Sequence, residues 1–505
     1  MEEARIDEIA DQVLSRRRLT GQGDLRIESS VIDPVVSSQD FVRFEIPRGK
    51  GILDSDTAIQ ISLTNSDTGN TGSRSYLSIL NGIKGTINKA QLRIGGKVIA
   101  TSEEYNFLSA TKAAMTPQDD MKSIDSNLEG SMYHFQNLDQ FQESTQPAAL
   151  NYSMNGSVIP GSNHFQNDAG NVDGQDFLVD EHLLPQPTAA TTPKFMVRLH
   201  DLFPFLKSLQ LPLFVMPEQT VFVELFFQNV VTNPFFAVQQ AGAALGASVF
   251  SIVTDDLKMF ATYQFFDDAV MNRIQQRYDT QGLSFIYEDY QFVRKGLPAA
   301  ANPTDEQELV TDIGGQNKVI RDILIHSQGF PGGGVVIPGF EAYKCQGRAI
   351  NETADGVAEE SYQFEINDQL YFTRPINQQA ALNYYYSQVG DAGDSWIPKP
   401  VASFENGLTG SSMLTLGASF EGDILGEMTG QYAPRGISFR KDRSNAAGNG
   451  KLIGSKPVRM IYNRRPPAGA GAGGVLSTDH SLAFRIWLVV ERGFVLRNGE
   501  VAVSG

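Results

Sequence analysis

Ala90-Gln-Leu-Arg-Ile-Gly-Gly-Lys-Val-Ile99 alternates polar and apolar residues, turns on two glycines and resumes with apolar ones. Tyr362-Gln-Phe-Glu-Ile-Asn-Asp-Gln-Leu-Tyr371 does the same, with Leu92/Phe364, Ile94/Ile366 and Val98/Leu370 in step at one offset of 272 residues. Period-two alternation broken by a two-residue turn is the pattern of a β-hairpin. Both copies run on into stretches with helical spacing, Ser102–Met115 and Ile376–Val389. A second echo is read between Thr220–Gln228 and Ser481–Val490, each taken to close one half. A unit stated twice at long range predicts two β domains of one topology in tandem.

Working outward, Phe41-Val-Arg-Phe-Glu-Ile46 and Ala58-Ile-Gln-Ile-Ser-Leu63 alternate strictly, as half-buried strands do. Further strands are expected at Phe195–Leu199, Leu211–Met216, Leu257–Phe265, Leu283–Val293 and Val319–Ile325, with an amphipathic helix over Phe266–Tyr278 carrying Val270, Ile274 and Tyr278. The chain of 505 residues then divides into an N-terminal arm over 1–30, a first sandwich over 31–234, a linker over 235–253 and a second sandwich over 254–505. Within the first sandwich, 117–193 is a polar excursion rich in Asn, Gln, Ser and Asp, expected on the exterior. It holds Asn-x-Ser sequons at Asn151 and Asn155, and Asn351 begins an Asn-x-Thr in the second half. In the arm, Ile6, Ile9, Val13 and Leu14 share one helical face, and Arg16, Arg17 and Arg18 follow at its end as candidate interface cations for an acidic surface. Phe235–Val253 is the most apolar long stretch, but Gln239 and Gln240 interrupt it, so a packed linker is expected rather than a membrane span.

The charge excludes several functions. With 41 basic against 58 acidic residues and a net charge of −17, the chain lacks the basic surface that holds nucleic acid through its phosphates, and no sequence-specific nucleic-acid binding is expected. The single cysteine, Cys345, excludes an intramolecular disulfide framework and any multi-cysteine metal site. The charged N-terminus carries no apolar leader segment. Six scattered histidines form no His-x-His ligand pair, and no nucleophile elbow, phosphate loop or dinucleotide fingerprint is present, so neither an enzyme nor a bound cofactor is expected. One basic block stands out: nine Lys and Arg between Arg435 and Arg465, among them Arg440, Lys441, Arg443, Arg464 and Arg465, against the single acid Asp442. No aromatic ladder is interleaved as in single-strand binders, so the block is read as a surface that docks an acidic neighbouring subunit.

A resemblance enters with Leu199-His-Asp-Leu-Phe-Pro-Phe-Leu-Lys-Ser-Leu-Gln-Leu-Pro-Leu-Phe-Val-Met-Pro-Glu-Gln-Thr-Val-Phe-Val-Glu-Leu-Phe-Phe227. An aromatic-Pro segment, a Leu-Pro-Leu strand, a turn and an alternating terminal strand, in that order, resemble the close of the first jelly roll in double-jelly-roll major capsid proteins of eukaryotic double-stranded DNA viruses, virophages and polinton-like viruses. The strand-turn-strand-helix unit at Ala90–Met115 is similar to the same family. The resemblance implies an all-β chain of two tandem eight-stranded jelly-roll sandwiches with short inserted helices and long loops. It further implies a homotrimeric, pseudo-hexagonal capsomer in the icosahedral shell of a virion. Its partners would be neighbouring capsomers, penton and minor capsid proteins and, beneath the shell, an internal membrane where one exists. The alternative is a β-sandwich carbohydrate-binding or host-attachment protein, which accounts for the sandwiches and polar loops but not for the repeat.

Overall fold

The computed structural model describes residues 25–65, 74–77, 82–113, 194–207, 209–228, 236–239, 250–302, 305–330, 359–375, 435–440, 450–465, 481–497 and 499–504. Numbering only the strands that recur, the first half contributes β1 (Arg26–Ile32), β2 (Phe41–Ile46), β3 (Ala58–Asn65), β4 (Ile87–Ile94), β5 (Lys97–Glu103), β6 (Lys194–Arg198), β7 (Val221–Phe227) and β8 (Lys258–Phe265). The second half contributes β9 (Leu283–Leu297), β10 (Gln307–Gly314), β11 (Val319–Phe330), β12 (Glu359–Ile366), β13 (Gln369–Leu370), β14 (Arg435–Ser438), β15 (Val458–Arg465) and β16 (Ser481–Arg497). Two helices matter below: α1 (Tyr105–Ala113), which follows β5, and α2 (Asp268–Gln281), which follows β8.

Pairing gives the same plan twice. One sheet of the first half runs β2-β7-β4-β5, and its counterpart runs β10-β15-β12-β13. The facing sheet is built by β1-β8-β3-β6 and its counterpart by β9-β16-β11-β14, all antiparallel. Each strand therefore has its equivalent eight strands later, and the chain is two tandem jelly rolls. Shorter strands extend this frame, such as Ile52–Leu53 beside β8 and Glu500–Ser504 beside β16.

Alternation accounts for the layers. In β2, Val42, Phe44 and Ile46 are buried while Phe41, Arg43 and Glu45 face outward, because successive side chains of a strand point to opposite faces. Each fully buried Val, Ile or Phe contributes roughly 1.5–3 kcal/mol of transfer free energy. The hairpin echo holds in the backbone: Ile94 pairs with Lys97 and Ile366 with Gln369, each across a two-residue turn. Gly95 and Gly96 have φ of 56° and 83°, and Asn367 and Asp368 have 53° and 62°, so both turns hold two left-handed residues in succession. That turn matches the twist of the flanking strands, and Gly, Asn and Asp are the residues that tolerate it.

The structure moves the expected boundaries. The first roll begins in the assigned arm, since β1 starts at Arg26, and ends at Phe265, since β8 pairs with both β1 and β3. Residues 235–253 therefore join two strands of one roll, and within them Phe236–Gln239 pairs with Arg74–Leu77 and Phe250–Ile252 with β3. The chain passes between rolls through α2, whose Val270, Ile274 and Tyr278 are buried and whose end is capped by Gly282 at φ 79°, donating to the carbonyls of Arg277 and Tyr278. The second echo is also corrected: Thr220–Gln228 forms β7, whose counterpart is β15, whereas Ser481–Val490 lies in β16, the counterpart of β8. Both echo segments are buried and apolar, which is why they match in composition while lying in opposite sheets. The expected strand Leu211–Met216 is a two-residue bridge, Leu211–Pro212, followed by a helical turn at Leu213–Val215, because Pro212 has no N–H to extend a ladder. The excursion 117–193 and the stretch Ile376–Val389 lie outside the described residues, and no helix among the described residues is long and apolar enough to cross a membrane.

Candidate interface residues and the seam between the rolls

Of the interface candidates, Arg440 follows β14 and turns inward. Its guanidinium binds Asp322 at 2.6 Å and Glu288 at 2.7 Å, while Arg321 binds Glu288 at 2.5 Å and Glu491 at 2.9 Å. Two arginines thus alternate with three carboxylates on β9, β11 and β16. Burial pushes the Asp322 carboxyl up against the pull of Arg440, and the Glu288 carboxyl is held below the usual range because both arginines outweigh its own burial. Arg464, on β15, is buried and donates to Gln307 Oε1 at 2.7 Å. The backbone of Arg465 pairs with Glu359 at the end of the β12 ladder. In the same block, Arg459 pairs with Asp312 and Glu365 at 3.3 and 3.0 Å, and Lys456 with Asp368 at 2.6 Å, all at the surface. Lys451 sets its ammonium 5.4 Å from the Tyr371 ring, so Arg440, Lys451, Lys456, Arg459 and Arg464 each meet a carboxylate, an amide or an aromatic ring of their own chain. Arg440 and Arg464 are not brought together, and Arg16, Arg17, Arg18, Lys441, Arg443, Asn151, Asn155 and Asn351 lie outside the described residues.

The seam between the rolls is the best-built contact surface, and most of its residues carry no motif. Roll one presents the end of β5 and the helix α1; roll two presents the outer face of β9, β16 and β11. Trp487 Nε1 donates to the Glu103 carbonyl at 3.0 Å, and the Tyr287 hydroxyl donates to the Ile99 carbonyl. Arg485 pairs with Glu104 and stacks its guanidinium over the Phe107 ring at 3.6 Å, with His326 edge-on to the same ring at 5.3 Å. Phe205 meets Tyr287 at 5.0 Å, and the Thr101 N–H donates to Asp289 at 3.4 Å. Burial, reinforced by the Asp289 charge, pushes the Tyr287 phenol well up, so it serves as a fixed donor. Leu324, Trp487, Val489, Phe494 and Leu496 of roll two pack into the hydrophobic core of roll one, whereas the interior of roll two forms a second core. The two rolls are therefore locked by core-like packing. A charged Arg485 set between apolar residues of Ala-Phe-Arg-Ile-Trp was the one sequence signal that this strand has a partner on both faces.

Lys112, half-buried on α1 with its ammonium 4.7 Å from the Tyr290 ring, sits in the seam. Burial lowers its pKa to about 7, helped by Lys207 and Lys84 and opposed by Asp201 and Glu288. The unfolded chain, with an ordinary Lys pKa of about 10.4, binds more protons than the fold between these values. Stability contributed by this site therefore rises as the pH climbs from about 7 towards 10. Lys112→Met is expected to remove that slope, so its stability advantage over the natural chain shrinks with rising pH. Urea midpoints of both proteins across this range check it, and parallel pH curves would refute the assignment.

Among the described residues no group of three or more His, Cys, Asp or Glu could hold a metal ion. No protein-family model and no curated protein matches the chain in sequence. Solved structures do match over nearly its full length. PBCV-1 VP54, in a crystal structure fitted into a cryo-EM reconstruction of the virophage Sputnik, superposes with a TM-score of 0.53 at 12% identity, covering 97% of this chain and 98% of that one. The Faustovirus major capsid protein gives a TM-score of 0.53 at 8% identity, covering 97% of each chain. The cryo-EM structure of the Sputnik virophage gives 0.50 at 12% identity, covering 97% of this chain and 90% of that one. The chain thus has the double-jelly-roll fold found in viral major capsid proteins.

Proposed function

We propose that the protein is a major capsid protein, three copies of which form a pseudo-hexagonal capsomer that tiles an icosahedral shell around double-stranded DNA. The observation that carries this reading is the recurrence of one strand order in two rolls joined by a sealed seam. A trimer can fill a six-cornered site only if each chain supplies two similar blocks at a fixed angle, and closed assemblies need interfaces that repeat by symmetry. The protein would reside in the virion shell, contacting neighbouring capsomers and penton and minor capsid proteins, and its role would be structural. Native mass spectrometry at micromolar concentration is expected to show a species of three times the chain mass, and electron microscopy a hexagonal outline. A monomer across that range would contradict the reading.

A further inference from the structure

The two rolls differ in how they finish one sheet edge. In roll one, the outer edge of β2 is closed by the chain that precedes it. Val36 pairs with Arg43, Ser37 pairs with Val42, and the Val35 N–H donates to the Arg43 carbonyl at 2.8 Å. The counterpart in roll two, β10, stands at the end of the order β10-β15-β12-β13. The residues before it cannot repeat the closure. Pro298 and Pro303 bring no N–H, and the Asn302 N–H is already donated to the Asp305 carboxylate at 3.2 Å. Among the described residues no strand pairs with the free side of β10, which runs eight residues from Gln307 to Gly314. Proteins blunt such an edge with lysines, proline or a bulge, because its unpaired N–H and C=O groups can take up another extended chain. β10 has its bulge only at the far end, between Asp312 and Gly314, and Val310 at its centre is 51% exposed. Its distinguishing feature is negative charge: Asp305-Glu-Gln-Glu-Leu-Val-Thr-Asp312 holds four carboxylates and no cation. Glu308, Val310 and Asp312 alternate along its exposed face.

We propose that the free edge of β10 takes up the stretch Arg16-Arg-Arg-Leu-Thr20 of another copy of the chain as an added strand. Such a link joins copies whatever their number in a capsomer, so it goes beyond the capsomer reading without resting on it. Charge selects the occupant. Arg16–Arg18 is the one run of three consecutive cations in the sequence, and it meets an edge of four carboxylates. Arg440, Lys456, Arg459 and Arg464 of the other basic block are held by partners in their own chain. Period fits as well. Side chains of an added strand alternate between faces, so Arg17 and Leu19 share one. With Leu19 beside Val310, Arg17 falls beside Glu308 if the two strands run parallel and beside Asp312 if they run antiparallel. Either direction sets apolar on apolar and cation on carboxylate, the cross-strand pairs that stabilise a sheet. Reach selects another copy. Leu19 lies seven residues before Arg26, where β1 begins, so an extended chain carries it about 25 Å from there at most. Between β1 of roll one and β10 of the same chain stand the seam and the sheet β9-β16-β11-β14, layers of about 10 Å each that the arm has to pass round rather than through.

In a Cys345→Ser background, Leu19→Cys combined with Val310→Cys is expected to give, on oxidation of the assembled full-length protein, bands of two or more chains on a non-reducing gel. Leu19→Cys combined with Leu452→Cys, an exposed apolar residue beside β11 in the opposite sheet, is expected to stay a single chain. Adding Glu308→Lys and Asp312→Lys to the first pair turns attraction into repulsion and is expected to slow the cross-link roughly tenfold at low salt. Raising the salt to about 1 M is expected to slow the unmodified pair in the same direction, because exposed charges are then screened. Circular dichroism of each variant is expected to match that of the natural chain. A Leu19→Cys, Val310→Cys protein that stays single, or that links no faster than the Leu452→Cys control, overturns the assignment of the edge. A bond closed within one chain, seen as a faster single-chain band that reduction restores, overturns the assignment to another copy. A rate indifferent to both the lysines and the salt shows that charge does not select the arm, and overturns it too. The trimer is read separately by native mass spectrometry, so a trimeric protein without the cross-link leaves the capsomer reading standing.

Discussion

Trp487→Ala is expected to destabilise the chain by about 3–5 kcal/mol and to separate the unfolding of the two rolls. Trp487 has no exposed surface, lies against Phe292 at a ring distance of 5.6 Å, and holds the Glu103 carbonyl through its indole N–H. Truncation would leave a cavity the size of a bicyclic ring between two sheets that cannot collapse onto each other, because β16 is fixed on both sides by β9 and β11. It would also orphan a buried carbonyl, which costs about 1–3 kcal/mol unless water enters. Trp487→Phe keeps most of the packing and loses the hydrogen bond, so about 1–2 kcal/mol is expected. Urea denaturation followed by intrinsic fluorescence and by far-ultraviolet dichroism reads both effects. The two probes should coincide for the natural chain and diverge for Trp487→Ala, since the seam couples the rolls. A single cooperative transition, shifted by less than about 1 kcal/mol, would show that the rolls are coupled elsewhere.

The tandem β plan was legible because alternation and turn chemistry are local. The hairpins at Gly95-Gly96 and Asn367-Asp368 announce themselves within ten residues, and the Val270, Ile274, Tyr278 spacing of α2 within nine. Pairing is not local. Nothing near Lys258–Phe265 says that this strand lies against Arg26–Ile32, more than 200 positions earlier, so the glycine- and alanine-rich stretch before it passed for a domain boundary. The same limit governs the candidate residues. A basic block can be counted from the chain, but the partners of Arg440, Asp322 and Glu288, are 118 and 152 positions away, and only the fold shows that they neutralise it. The seam residues were harder still, because an interface between two domains of one chain is composed like a core, and Trp487 reads as any buried aromatic until the second sheet is in place.

Arg440→Ala is expected to cost about 3–5 kcal/mol, because it strips a buried carboxylate of its cation. Asp322 is 1% exposed and its only described ion-pair partner is Arg440, whereas Glu288 keeps Arg321. The loss therefore falls on Asp322, whose carboxyl is already pushed up by burial with the arginine present. An acid whose folded pKa exceeds its unfolded value binds more protons in the fold, so its contribution is present at low pH and is lost as pH rises through the folded value. Removing the arginine widens that gap, and the Arg440→Ala deficit should shrink on acidification from neutral pH towards the ordinary carboxylate range near 4. Arg440→Met combined with Asp322→Leu removes both charges at similar volume and is expected to recover most of the lost stability, as apolar replacements of buried pairs commonly do. Thermal midpoints of the three proteins between pH 4 and 7 decide the matter. If Arg440→Ala matched the natural chain at neutral pH, the arginine would be a surface cation after all, free to serve a neighbouring subunit, and the inward network would carry no weight in holding β14 to the sheet.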